Sequence, residues 1–178
     1  VLATVRPLLE KSSKEIIPLG KVGEATVLKL VTNMVSASTV QILAEAMAVT
    51  AAAGIPLANF MRAMEGNANC SGLARMKIPA MTKGDFTPHF SLKNMLKDSR
   101  FALELGRSQG LDLPALEVAS QCMAAQAEAG RGEEGPAVVH LLLDAPDGEP
   151  EHLVHRGHLG GVPLRQVVVD GDDVDALA

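Results

Sequence analysis

From Glu24 to Ala53 the chain contains no proline and no glycine, and alanine, leucine, valine and methionine dominate. Such a run specifies one helix of roughly 30 residues, about 45 Å long. Between Ala25 and Ala52 only Lys29 and Glu45 carry charge, and Leu28, Leu30, Val31, Val35, Val40, Ile42, Leu43 and Met47 fall on nearly every side. That distribution predicts a central helix surrounded by protein. Thr26, Lys29, Asn33 and Ser36 follow at spacings of three, four and three, so they share one polar stripe facing a cleft. The competing reading has Lys29 running its methylenes over apolar surface to reach water, with Asn33 a stray polar neighbour. A membrane span of this length is set aside, because the polar stripe and Glu45 oppose it and basic flanks are missing.

Punctuation divides the rest of the chain into shorter helices. Val1 to Lys11 reads as a short amphipathic helix, followed by apolar Ile16 and Ile17. Gly54 and Pro56 break the long helix, and Leu57 to Glu65 forms the next. Gly72 to Lys77 and Pro79 to Lys83 read as two separate short turns. Ser91 to Arg107 is a third major helix, Pro114 to Ala129 a fourth, and Pro136 to Asp144 a brief apolar helix closing the bundle. Strand signals are scarce, and with no tryptophan or tyrosine and only four phenylalanines the core is expected to be aliphatic and rich in methionine.

Two segments carry a family resemblance. GKVGEATVLKLVTNM, from Gly20 to Met34, and FSLKNMLKDSRFALELG, from Phe90 to Gly106, resemble the two signatures of the β-hydroxyacid dehydrogenases. That group includes 3-hydroxyisobutyrate dehydrogenase and the glyoxylate/succinic semialdehyde reductases. LDLPALEVAS, from Leu111 to Ser120, keeps the order and approximate spacing, so the resemblance covers about residues 1 to 143. It implies an all-α fold, the helical C-terminal domain of the 6-phosphogluconate dehydrogenase-like type, with a remnant of a Rossmann domain at the N-terminus. Residues 1–19 would end the Rossmann domain as its last helix and strand, residues 20–143 would be the helical domain, and residues 144–178 an acidic tail. From residue 132 onward two arginines face ten acidic side chains, and a weakly structured extension is the expectation there.

The resemblance also implies roles. Lys29 matches the catalytic acid/base, and Asn33 a substrate contact; Phe90 and Asp98 match positions near the substrate pocket, and Lys97 a contact to the cofactor. Hydride arriving at a carbonyl carbon leaves negative charge on its oxygen, and an ammonium group within hydrogen-bond reach can neutralise and protonate it. The implied cofactor is NADP or NAD, the substrate a small aldehyde or hydroxy acid, and the assembly a homo-oligomer formed through the helical domain. Asn69, Ser71 and Gly72 are candidates for lining the site, against an ordinary polar turn, which the pattern favours. The Rossmann dinucleotide turn, GxGxxG between a strand and a helix, is absent. The chain therefore reads as a piece of a longer enzyme, inactive by itself, or as a non-catalytic oligomerisation or interaction module derived from one.

Other signals are weaker. His152, His155 and His158 lack the helical setting and companion ligands of a metal site, so none is expected. Cys70 and Cys122 read as reduced thiols, in keeping with the cytoplasm or an organellar matrix. The net charge of −5 and the lack of a basic, aromatic patch argue against nucleic acid.

Overall fold

The chain enters its long helix through a turn that only glycine makes easily. Gly23 adopts φ +97°, a left-handed conformation that side chains with a Cβ rarely take. The Glu24 carboxylate then reaches back to accept hydrogen bonds from the Gly20 and Lys21 amides, at 2.8 and 2.9 Å. These contacts fix the start of the helix a little more than one turn before Lys29. The computed structural model describes residues 2–142, so the tail beyond residue 143, with His152, His155 and His158, lies outside the described residues.

The helices are α1 (Leu2–Leu9), α2 (Glu24–Ala52), α3 (Leu57–Glu65), α4 (Gly72–Lys83), α5 (Leu92–Ser108) and α6 (Pro114–Gln126). A short π turn, Ala127–Arg131, and a 3-10 turn, Pro136–Leu142, follow. No strand occurs among the described residues, so the all-α expectation is met. The expected strand around Ile16 and Ile17 does not form: residues 15–19 are irregular and Ile17 is exposed. No neighbouring strand among the described residues offers it a ladder.

Helix α2 packs against α3, α4, α5, α6 and the 3-10 turn, which makes it the axis of the bundle. It is also the one described helix long and apolar enough to cross a membrane, yet those neighbours give it the setting of a bundle's core helix. Its burial corrects the sequence reading. Every buried residue of α2 lies at or beyond Ala37, whereas Val27, Leu28, Val31 and Val35 are exposed. The core is therefore built on the second half, where Val40, Leu43, Ala44 and Met47 meet Leu92, Leu96, Leu116, Met123 and Val138. No phenylalanine is fully buried, and unbranched methionines fill the gaps that rings would otherwise occupy.

Helix α4 is a second correction. The two short turns are one helix, Gly72–Lys83, running through Pro79. Proline removes the amide that would bond the Arg75 carbonyl, but Arg75 is exposed, so water can take that carbonyl. Ser71 caps the helix by accepting the Ala74 amide at 3.1 Å, and Gly84 ends it at φ +64°.

The N-terminus of α5 is satisfied from a distance. The Ser91 side chain makes no cap bond; instead the Leu92 and Lys93 amides donate to the carbonyls of Glu134 and Gly132, at 2.7 and 2.9 Å. The Gly135 amide donates to the Phe86 carbonyl at 2.7 Å. A Cβ on Gly135 would lie 3.2 Å from the carbonyl oxygens of both Phe86 and Thr87, while one on Gly132 would meet only the Lys93 Cβ at 3.7 Å and the Ala127 Cβ at 4.0 Å. Gly135→Ala is thus expected to destabilise the fold by about 1–3 kcal/mol through crowding against fixed backbone. Gly132, at φ −60° and ψ −26°, already has helical dihedrals, so Gly132→Ala should be neutral or stabilising by up to about 1 kcal/mol. Urea unfolding of the two variants checks the contrast; equal effects would remove the close approach at Gly135 as its cause.

Candidate functional site

Four of the five candidate side chains come from two helices. Lys29 and Asn33 stand one turn apart on the exposed first half of α2, and Lys97 and Asp98 lie at the middle of α5. Asp98 is the point where they meet. Its Oδ2 accepts from Lys29 Nζ at 2.6 Å and from Asn33 Nδ2 at 2.7 Å. Its other oxygen, Oδ1, lies 3.6 Å from Lys97 Nζ. The Asp98 side chain is 3% exposed, whereas those of Lys29 and Lys97 are each 55% exposed. One buried carboxylate thus holds two ammonium groups and an amide at an open face.

Burial pushes the Asp98 carboxyl up, but hydrogen bonds from Lys29 and Asn33, with the charges of Lys29 and Lys97, outweigh it. Together they hold the group below the usual carboxylate range. The ion pair remains formed at neutral pH, and the face carries more positive than negative charge. Lys29 has three N–H donors and spends one on Asp98, leaving two for a ligand oxygen. Asn33 spends one amide hydrogen in the same way, which fixes its orientation. The polar stripe expected on α2 is real at Lys29 and Asn33. Its outer members do local work or none: Ser36 donates to the Thr32 carbonyl, and Thr26 is exposed.

Phe90 is not part of this cluster. It sits in the bend before α5, 37% exposed, outside the helix that carries Lys97 and Asp98. Asn69 and Ser71 belong to a polar turn, in which Asn67 Oδ1 accepts the Asn69 amide and Ser71 caps α4, whose first residue is Gly72. The burial that a cleft would give Lys29 is also missing, because the face is open on the side away from Asp98.

Two features escaped the sequence. One is the role of Asp98 as the shared acceptor, since nothing in residue spacing pairs a carboxylate on α5 with donors on α2. The other is a GxGxxG spacing at Gly130, Gly132 and Gly135, which corrects the expectation that the motif is absent. This run follows a helix, and its Gly132 and Glu134 carbonyls are committed to the α5 amides. A dinucleotide cradle needs amides presented between a strand and a helix. The described residues do fit a contact to an anionic cofactor or substrate in another way, through the half-exposed ammonium groups of Lys97 and Lys29. Among the described residues no group of three or more histidine, cysteine, aspartate or glutamate side chains could hold a metal.

The sign of the acid response follows from the Asp98 shift. A carboxyl depressed in the folded state stabilises fully above its unfolded value, about 3.9, and that contribution is lost as pH falls through the lower folded value. Asp98→Asn should flatten the dependence of Tm on pH below about pH 4, with little change between pH 5 and 7. Thermal melts of both proteins across that range check it; parallel curves would mean that Asp98 titrates as it does in the unfolded chain.

Residues 23–142, from the N-terminus of α2 to the closing 3-10 turn, match the family model described as NAD-binding of NADP-dependent 3-hydroxyisobutyrate dehydrogenase. A cytokine-like nuclear factor, N-PAC of Anopheles gambiae, is 30% identical over 74% of this chain and 23% of its own length. Glyoxylate/succinic semialdehyde reductase 1 of Arabidopsis thaliana is 26% identical over 71% of this chain and 44% of its own. The chain therefore spans less than half the length of these relatives. The crystal structure of 3-hydroxyisobutyrate dehydrogenase from Salmonella typhimurium superposes with a TM-score of 0.75 at 22% identity, over 79% of this chain and 50% of that one. With the model matched over most of the chain and every member of the Asp98 cluster inside the match, the protein belongs to the family of NAD-binding helical domains of NADP-dependent 3-hydroxyisobutyrate dehydrogenases.

Proposed function

We propose that this chain is the helical half of an NAD(P)-dependent oxidoreductase that moves hydride between a nicotinamide cofactor and a small aldehyde or hydroxy acid. The observation that carries the reading is the tether of Lys29 and Asn33 on buried Asp98, with two Lys29 donors left to a ligand. In this reading the cofactor supplies or accepts the hydride. Lys29 Nζ holds the proton that the carbonyl oxygen takes up on reduction, and receives it in the reverse direction. Asn33 orients the substrate, Asp98 positions Lys29 and Asn33 rather than touching substrate, and Lys97 contacts the cofactor. Phe90 would line the substrate pocket. Glyoxylate, succinic semialdehyde and 3-hydroxyisobutyrate are the substrates to test, with NADP ahead of NAD, in the cytoplasm or an organellar matrix.

The test extends the chain with the coding sequence found upstream of it, where that carries a Rossmann domain, and follows NADPH and NADH oxidation. Lys29→Ala is expected to lower kcat by about 10²–10⁴-fold while cofactor affinity holds. Lys97→Ala should instead weaken cofactor binding. This chain alone should turn over neither aldehyde. Full turnover by the Lys29→Ala protein would end the acid/base assignment.

A second reading, a non-catalytic oligomerisation or interaction module, draws support from N-PAC, a relative named as a nuclear factor rather than a dehydrogenase. Failure of the extended protein to bind either cofactor would put that reading first.

Self-association is proposed in both cases. Leu28, Val31, Val35, Ile42 and Val49 are exposed on α2 at spacings of three, four, seven and seven, a seam of the kind helices bury against one another. Beside it, Met34, Val35, Ile42, Ala115 and Val118 border a groove of about 570 Å³, in which Gln41 keeps a buried Oε1 without a partner among the described residues. A second copy laid along α2 would cover the seam. Light scattering should find at least a dimer at micromolar concentration, and Ile42→Asp, an exposed position, should yield a folded monomer. A monomeric parent chain would refute the association.

A further inference from the structure

Helix α4 turns Ala74, Lys77, Ile78 and Met81 toward the core, the i, i+3, i+4, i+7 pattern of an apolar face. A lysine occupies one of those four positions. Lys77 is 8% exposed and has no hydrogen-bond acceptor or ion-pair partner among the described residues. Burial pushes its ammonium pKa down from the ordinary lysine value, as expected of a charge without a counter-ion. Its Nζ is not among the fully enclosed, unpaired side-chain atoms of the described residues, so the stem is buried while the ammonium remains open to an approaching anion.

There is room for one. Lys77 lines a cavity of about 200 Å³ enclosed by α4, the loop at residues 85–89, Gly135 and Ala137. Met76, Pro79, Ala80, Phe86 and Ala137 form an apolar wall, and Lys83 and His89 stand at the exposed rim. Asp85 also borders the cavity, but its Oδ1 accepts the Thr87 amide at 3.1 Å and makes no ion pair with Lys77 among the described residues. The loop is held in place by the close contact of Gly135 with the Phe86 and Thr87 carbonyls, so the wall is built rather than incidental. None of the lining residues belongs to the Asp98 cluster.

We propose that this cavity binds a small organic monocarboxylate, its carboxylate paired with Lys77 Nζ and its hydrocarbon part against Phe86, Pro79 and Ala137. The apolar wall selects against an inorganic oxyanion, which would lose hydration there without return. Lys83 adds positive charge at the entrance, which Asp85 beside it partly offsets.

The test titrates the full chain with benzoate, benzamide and inorganic phosphate, followed by NMR. Benzoate should bind saturably and its ring protons should show contacts to the Met76 methyl and the Phe86 ring, with benzamide and phosphate at least about tenfold weaker. Lys77→Met, close in volume, should lower benzoate affinity about tenfold or more, whereas Lys29→Ala should leave it unchanged. Equal binding of phosphate, or benzoate affinity untouched by Lys77→Met in a folded protein, overturns the proposal. So does a lack of saturable binding, or benzoate contacts to Leu28 and Val31 on α2 in place of Met76, which needs no variant to read.

Discussion

The contact on which the candidate site depends is a single buried carboxylate accepting from two donors that belong to another helix. Asp98 joins the middle of α5 to the first half of α2. Without it nothing described would hold Lys29 and Asn33 to one geometry, because their own half of α2 contributes no buried residue. The arrangement is favourable for a particular reason: the carboxylate is desolvated, but α2 sends it two hydrogen bonds, Lys97 on α5 adds a nearby charge, and the lysines that compensate it keep much of their hydration. A buried anchor with half-exposed cations is a fitting arrangement for gripping a charged ligand at an interface.

The anchor works only if α5 is itself in register, and that is set at the other end of the chain's helical part. The α5 amides at Leu92 and Lys93 end on carbonyls of the segment after α6, and Gly135 in that segment pins the loop that precedes α5. Local and distant contacts therefore converge on one helix. The aliphatic core, with Met47, Leu92 and Leu116 almost wholly enclosed, supplies the bulk of the stability, at roughly 1.5–3 kcal/mol for each such side chain.

The same geometry explains why fold likeness and activity have to be argued separately here. Family membership covers residues 23–142, yet the chain spans 23% of one curated relative and 44% of another, and only the second is named as an enzyme. The face around Lys29 is open. A substrate cleft needs a second wall, so the Asp98 cluster by itself supports an ion-gripping half of a site, and catalysis rests on what would be laid against it.

How much of this was legible beforehand can be judged residue by residue. The sequence by itself determined α2, because thirty residues without a breaker have no other economical conformation, and it placed Lys29 and Asn33 on one face because 3.6 residues make a turn. Glycine and proline marked most helix ends for equally local reasons, although Pro79 misled, since α4 runs through it at an exposed stretch around Arg75. Tertiary structure alone decided that Asp98, sixty-five residues beyond Asn33, receives both α2 donors. It alone left half of α2 uncovered and turned Gly132 and Gly135 into a clamp on α5 and the loop before it rather than a phosphate turn. Spacing along a chain fixes which side chains share a helix face; which face meets which is set by how whole helices pack, and that information is spread over the entire core.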